Sequence, residues 1–334
     1  MPRRLVGGPP TMSSSAPHPA SPEARSEVVL GIIGGSGLYG MDELQEVQEV
    51  SLDTPFGAPS SPFIVGKLPR VSGSGVSGSG ASGGALRAVF VSRHDRGHVL
   101  TPGEINYRAN IHGLKQLGVT HVLAVSAVGS LREGIAPGHV VVPDQLIDRT
   151  KHRESSFFGH GCVAHVQFGD PMDERFRARV VSAAAGVLED EGTLGQLHER
   201  GTLVVMEGPA FSTRAESELY RRWGADIIGM TALPEAKLAR EAELAYALLA
   251  TSTDYDCWHL SEEEVTVEAV LAIMRANVAR VRRIVLALAD LLPSSCDQLP
   301  WPQALRGALS TDPSRIPAVT RERLELIVGH YLQD

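Results

Sequence analysis

The chain of 334 residues predicts a single α/β domain built on a central mixed β-sheet flanked by helices. Three observations predict it. Short apolar runs alternate with amphipathic stretches along most of the sequence, as strands alternate with helices. Several of those runs end in glycine, serine, arginine or acidic residues, as strands do where an open sheet presents loops to a ligand. Finally, 43% of the residues are hydrophobic, enough for a large core and too many for a disordered chain.

Taken in order, residues 1–27 are rich in Pro, Ser and Ala and read as a disordered tail. They hold two early arginines but no apolar segment, which excludes a secretory signal; an organelle transit peptide is the weaker alternative. The main domain is expected over residues 28–292. "EVVLGIIGG" reads as a buried strand entering a glycine turn, and "SPFIVGKL" and "LRAVFVSRH" as two neighbouring strands. The Gly/Ser-rich residues 69–85 between them suit a flexible insertion at a hairpin tip. "NYRANIHGLKQLG" has helical spacing and stops at Gly118, and "VTHVLAVSAVGS" is a strand running into a turn of small residues. "HVVVPDQLID" reads as one strand and "ERFRARVVSAAAGVLEDEG" as an amphipathic helix. "GTLVVMEGP", "ADIIGMT" and "YALLATSTDYD" are further strands with helices between them. In the last long helix Val278, Val281, Ile284, Val285 and Leu288 continue a stripe begun at Val267 and Val270, a face to pack on the sheet. Residues 293–334 read as an extension without legible chemistry.

The net charge of −8 argues against a surface built for nucleic acid or an anionic membrane. Three cysteines, Cys162, Cys257 and Cys296, form no C-x-x-C pair, so neither a zinc site nor a disulfide framework is expected. A reducing cytoplasm is the simplest compartment. No apolar run approaches the ~18 residues of a membrane helix.

Gly35, Gly37 and Gly40 match G-x-G-x-x-G, with Asp53 downstream. A dinucleotide fold needs a helix and a second strand before that acid, and the interval is too short for both. The G-K-[ST] ending of a phosphate loop is also missing. A glycine turn carrying Ser36 still suits an anion, and suits a plain tight turn equally.

Other strand ends carry chemistry of their own. In "SRHDRGH", Arg93 can grip a phosphate with two parallel N–H bonds, and His94 and His98 can donate to oxygen or line a pocket. Ser126 and Ala127 open a small-residue turn, Glu207 could meet sugar hydroxyls, and Phe211 and Ser212 follow it. Met230 and Thr231 supply soft apolar surface and a hydroxyl. Asp254 and Asp256, two apart on an extended chain, point to one side and could read a base edge or cap a helix. Each signal alone is weak, but together they converge on one site.

At this point "GIIGGSGLYG", "DTPFGAPS", "SRHDRGH", "INYRANIHGLKQLG", "SAVGSLREGIAPGHVVVPDQLIDRT", "EGPAFSTRAESELYRRWGADIIGMTALPEAKLAREA" and "TSTDYDCW" closely resemble the methylthioadenosine phosphorylases. That family lies in the trimeric branch of the purine nucleoside phosphorylases. The resemblance covers residues 28–290. It implies a nucleoside phosphorylase-like domain, a homotrimer, no cofactor or metal, and inorganic phosphate as co-substrate. The implied reaction is reversible phosphorolysis of S-methyl-5'-thioadenosine to adenine and 5-methylthioribose 1-phosphate. By the family's motifs Ser36, Arg93, His94, Ser126, Ala127 and Thr231 hold phosphate. Met230 lies under the ribose, Phe211 and Ser212 flank the base, and Asp254 and Asp256 read the adenine edge. His98, Val267 and Val270 border the methylthio group, with His165 reaching in from a neighbouring subunit. Gly229 departs from the pattern, standing where many members carry asparagine.

The chemistry agrees with that assignment. Phosphorolysis builds positive charge on the sugar and negative charge on the leaving purine, so phosphate stabilises the one and an acid the other. Asp254 is the expected acid, with Arg93 and His94 beside the phosphate. Carboxylates accept from the exocyclic amine of adenine and repel a 6-oxo purine. A methylthioinosine or purine nucleoside phosphorylase is the nearest alternative, and a non-catalytic nucleotide-binding module the alternative from another class.

Overall fold

The computed structural model describes residues 27–35, 41–70, 84–259, 267–296 and 303–332, with 267–274 as backbone only. Its centre is β5 (His121–Ser130), a ten-residue strand between the parallel strands β1 (Leu30–Gly34) and β11 (Ala245–Asp254). The single mixed sheet runs β2 (Gln45–Val50), β3 (Phe63–Leu68), β4 (Leu86–Ser92), β1, β5, β10 (Ile227–Gly229), β9 (Thr202–Met206), β7 (Gln145–Arg149). The short β6 (Val140–Val141) and β8 (Leu197–His198) continue beyond β11.

Strand alternation divides the core into two faces. Ile33, Tyr246, Leu248 and Ala250 point to one face, under α1 (Tyr107–Gln116), α4 (Ala232–Glu241) and α6 (Ala318–Val328). Leu30, Ile32, Ala247 and Leu249 point to the other, under α2 (Glu174–Asp190) and α5 (Val267–Leu291). The stripe Val281, Ile284, Val285 and Leu288 of α5 is buried there, as expected.

Several local expectations change. "HVVVPDQLID" is two strands, β6 and β7, because Pro143 cannot donate to a ladder. The "SAVGS" turn is instead the second half of β5, held by β11 and β10. The edge strand β2 was not foreseen; its residues are exposed or half-buried, so it lacks the alternation that marks a strand. Leu305, Ile316, Leu324, Ile327 and Val328, in the segment without legible chemistry, join the main core. Strands β3 and β4 pair antiparallel, from Ile64 opposite Phe90 to Leu68 opposite Leu86. Residues 71–83 between them, and the tail before residue 27, lie outside the described residues.

One feature of the sheet positions the site. On one edge β5 pairs in parallel with β1 through Ala124, then antiparallel with β10 from Gly129. Between those points, among the described residues, Val125 to Val128 have no strand partner on that edge. The two neighbours part there, leaving an opening in the ladder at a topological switch point.

Candidate active site

Arg93 follows β4 directly and reaches this opening. Its side chain is 3% exposed, with Nε donating to Glu235 Oε2 at 2.9 Å and Nη2 to Glu235 Oε1 at 3.1 Å. Nη1 donates to the carbonyl of Val125 at 3.1 Å and Nη2 also to that of Ile33 at 3.4 Å. The two parallel bonds expected to grip a phosphate are therefore spent on Glu235. The second Nη1 hydrogen has no acceptor among the described residues, at the Val125 end of the unpaired edge of β5. The buried pair holds Arg93 firmly charged, its pKa raised by Glu235 against the opposing effect of burial. Glu235 Oε1 also accepts from the Tyr246 hydroxyl at 2.9 Å. Sequence reasoning missed Glu235; the signal was an acidic residue four positions after Thr231 in a helix otherwise made to be buried.

Ser126 and Thr231, far apart in sequence, meet with their hydroxyl oxygens 3.3 Å apart. Thr231 is buried, while Ala127 is exposed beside them. His94 Nδ1 lies 2.8 Å from the carbonyl of Leu100. A carbonyl only accepts, so Nδ1 carries the proton. Burial pushes the ring down to about 4, and it is neutral at ordinary pH. His94 therefore offers Nε2 as an acceptor, not the donor expected. His98 is exposed and stacks on it, ring centroids 4.1 Å apart.

Arg153, also missed, ties together the backbone around Met230, Leu233 and Glu207. It donates through Nη1 to the carbonyls of Met230 at 2.7 Å and Leu233 at 2.8 Å, and through Nη2 to that of Glu207 at 2.5 Å. Glu207 Oε2 accepts from the Lys151 amide at 2.6 Å and lies 3.1 Å from Arg153 Nε, so this carboxylate ties loops together. Met230 packs on Gly208, where an added Cβ would lie 2.6 Å from its Sδ. A Cβ at Gly229 would lie 3.4 Å from Val128 Cγ1, an ordinary contact, so no crowding requires glycine there.

At the end of β11, Asp254 and Asp256 both border Gly129: an added Cβ there would lie 3.2 Å from Asp254 Oδ1 and 3.5 Å from Asp256 Cβ. Strand alternation is not what brings them together, since β11 stops at Asp254 and Asp256 sits in the following turn. Asp254 is exposed, yet the protein around it partly desolvates its carboxyl and pushes it above the usual range, helped by Asp256. Asp256 Oδ2 is buried without a hydrogen-bond partner among the described residues. Ser212 is buried and its carbonyl accepts from Cys257 Sγ at 3.3 Å, tying the loop after β9 to the same turn. Phe211 beside it is 83% exposed.

Four expected residues are not joined to this cluster. Ser36 lies outside the described residues, and Val267 and Val270 stand in the first turn of α5 with no side-chain description. His165 is exposed in the loop after β7, its amide donating to the Ala308 carbonyl at 2.9 Å.

One mixed sheet thus gathers Arg93, Ser126 and Thr231 along the unpaired edge of β5, and Asp254 and Asp256 beside Gly129 further along the same strand. The chain belongs to the Phosphorylase superfamily, which matches residues 29–290. Its relatives include S-methyl-5'-thioadenosine phosphorylases. That of Geobacter sulfurreducens is 50% identical over 92% of this chain and 100% of its own length. That of Synechocystis is 52% identical over 90% and 87%. Among solved structures, a methylthioadenosine phosphorylase from an antarctic soil metagenomic library superposes with a TM-score of 0.79 at 41% identity, covering 91% of this chain and 99% of that one. The Schistosoma mansoni enzyme in complex with adenine gives 0.72 at 35% identity, covering 85% and 99%.

Proposed function

We propose that the chain catalyses reversible phosphorolysis of S-methyl-5'-thioadenosine to adenine and 5-methylthioribose 1-phosphate, a pentosyl transfer serving purine and methionine salvage. The observation that carries this reading is the carboxylate pair at Gly129. Asp256 Oδ2, buried and unpartnered, is an acceptor for the exocyclic amine of adenine. Asp254, its carboxyl raised, is suited to hold the proton that the leaving purine needs.

Phosphate is placed at the unpaired edge of β5. It meets the free Nη1 hydrogen of Arg93, the hydroxyls of Ser126 and Thr231, Ala127, and Ser36 from the glycine turn. His94 Nε2 accepts the phosphate hydroxyl, which orients the anion's charged oxygens away from it. From there the anion stabilises positive charge on the sugar and then attacks it, with no covalent enzyme intermediate. Met230 lies under the ribose, Phe211 and Ser212 flank the base, and His98, Val267 and Val270 border the methylthio group. The reading includes a homotrimer, with His165 entering a neighbour's site, no cofactor, and a cytoplasmic setting that matches three free cysteines. No helix among the described residues is long and apolar enough to cross a membrane.

Base release from methylthioadenosine, methylthioinosine and adenosine, each with and without phosphate, tests the reading. Phosphate-dependent adenine release, fastest from methylthioadenosine, is expected. Release from methylthioinosine alone would overturn the base assignment. Binding without turnover would favour a non-catalytic module.

A further inference from the structure

Strand β11 pairs with β5 in regular parallel register from Ala245 opposite His121 to Ser252 opposite Val128. The next partner of Gly129 is Asp254, so Thr253 is an extra residue in a bulge. Bulges are uncommon between parallel strands and re-aim side chains where they occur. In a regular strand Thr253 and Asp254 would point to opposite faces. Here the Thr253 hydroxyl lies 2.7 Å from Asp254 Oδ2, and the same hydroxyl lies 3.2 Å from the carbonyl of Val128.

A hydroxyl has one hydrogen, and both neighbours accept. It therefore chooses between a neutral carbonyl and a carboxyl oxygen, and the choice depends on the charge of Asp254. Toward a neutral carboxyl the two acceptors compete. Toward a carboxylate the charge-assisted bond wins. The other oxygen, Oδ1, lies over Gly129, which has no side chain of its own, with Ile228 Cγ2 close by. Asp256 is the charged group that acts on Asp254 among the described residues, and it opposes ionisation, as burial does. Thr253 and the Asp256 amide favour ionisation.

We propose that Thr253 is the positioning residue for Asp254: its hydroxyl holds Oδ2 as an acceptor and leaves Oδ1 to carry the proton to the leaving base. This rests on the reading of Asp254 as the leaving-group acid. As the glycosidic bond breaks, its electron pair passes to the purine. The Asp254 Oδ1–H bond breaks and a new N–H bond forms on the purine ring. The carboxylate left behind accepts the Thr253 hydroxyl's hydrogen bond at Oδ2, the proton staying on the hydroxyl. Hydrogen phosphate loses its own proton on becoming the sugar phosphate, and that proton restores Asp254. Charge and protons then balance over the turnover.

The test compares Thr253→Val, Thr253→Ala and Thr253→Ser with Asp254→Asn and the Asp254→Asn/Thr253→Val double variant, with methylthioadenosine at saturating phosphate from acid to alkaline pH. Removing the hydroxyl should lower kcat about tenfold, the worth of one hydrogen bond to a charged group, with the nucleoside KM nearly unchanged. Losing a donor to the carboxylate keeps Asp254 protonated longer, so the alkaline limb of the pH profile should move to higher pH. Thr253→Ser should restore both, and the double variant should be no slower than Asp254→Asn. An unshifted alkaline limb, or a loss that serine does not restore, overturns the proposal while leaving Asp254 as the acid. Full-rate phosphorolysis by Asp254→Asn overturns the acid reading and this proposal with it.

Discussion

Arg93 and Glu235 face each other as a buried two-point ion pair, 3% and 1% exposed, and the carboxylate sets the direction in which the guanidinium points. Its four hydrogen bonds run to Glu235 on α4 and to the carbonyls of Val125 on β5 and Ile33 on β1. The arginine is thus pre-aimed before any anion arrives, which spares binding the cost of ordering it.

Replacing Glu235 separates aim from charge. Glu235→Gln keeps the shape but loses the two-point clamp, and the KM for phosphate should rise about tenfold while that for the nucleoside stays put. Glu235→Ala leaves a buried guanidinium uncompensated and should cost about 3–5 kcal/mol in denaturant melts. Arg93→Ala should abolish saturable use of phosphate. Steady-state kinetics varying each substrate in turn distinguishes these outcomes, and an unchanged phosphate KM in Glu235→Gln would contradict the aiming role.

Asp254→Asn replaces the acid with an amide of the same shape. Adenine release should slow by about a hundred- to ten-thousand-fold, the usual contribution of a positioned general acid. The same variant should improve relative use of 6-oxo nucleosides, because an amide can donate to their carbonyl. Competition between methylthioadenosine and methylthioinosine reads both effects.

Gly129→Ala probes the space that Asp254 occupies. The new methyl would lie 3.2 Å from Asp254 Oδ1 and 3.1 Å from Ile228 Cγ2, so the carboxylate or the strand must give way. A fall in kcat of about tenfold or more with at most about 1–3 kcal/mol of lost stability is expected. Wild-type kcat in a well-folded Gly129→Ala would show that Asp254 Oδ1 need not stand over this glycine.

Glu241 predicts a pH dependence of stability. Burial raises its carboxyl from an ordinary 4.5 to about 7, although it accepts from the Ser156 hydroxyl and the Phe157 amide, each at 2.7 Å. The folded state holds this proton more tightly than the unfolded state does. Its contribution is therefore complete below about 4.5 and is lost as pH rises to about 7. Relative to Glu241→Gln, which cannot ionise, the wild-type Tm should decline across that interval and run parallel above it. The buried histidines titrate alike in both proteins and cancel in the difference.

The order of the major strands and helices is legible in the sequence because each buried element carries its own period: "LGIIG" is apolar throughout, and α5 repeats every three to four residues. β2 is not legible, because an exposed edge strand leaves no apolar trace. In the site, residues at strand ends are legible by type. Their pairing is not. Nothing in a linear reading says that Arg93 spends its fork on Glu235, or that Ser126 stands mid-strand while its neighbours diverge. The bulge at Thr253 is likewise a matter of register, which only the paired strands reveal.

The divergence of β1 and β10 along β5 ties ligand affinity to the cooperativity of the fold. The rest of that edge of β5 is satisfied by β1 and β10; from Val125 to Val128 the role falls to Arg93 and, by our reading, to phosphate. An anion bound there bridges the two wings of the sheet much as a missing strand would. Saturating phosphate should accordingly do more than raise the melting temperature by mass action. It should make the wings lose hydrogen-exchange protection together, where without it the β9–β10 wing opens at lower cost than the β1–β4 wing.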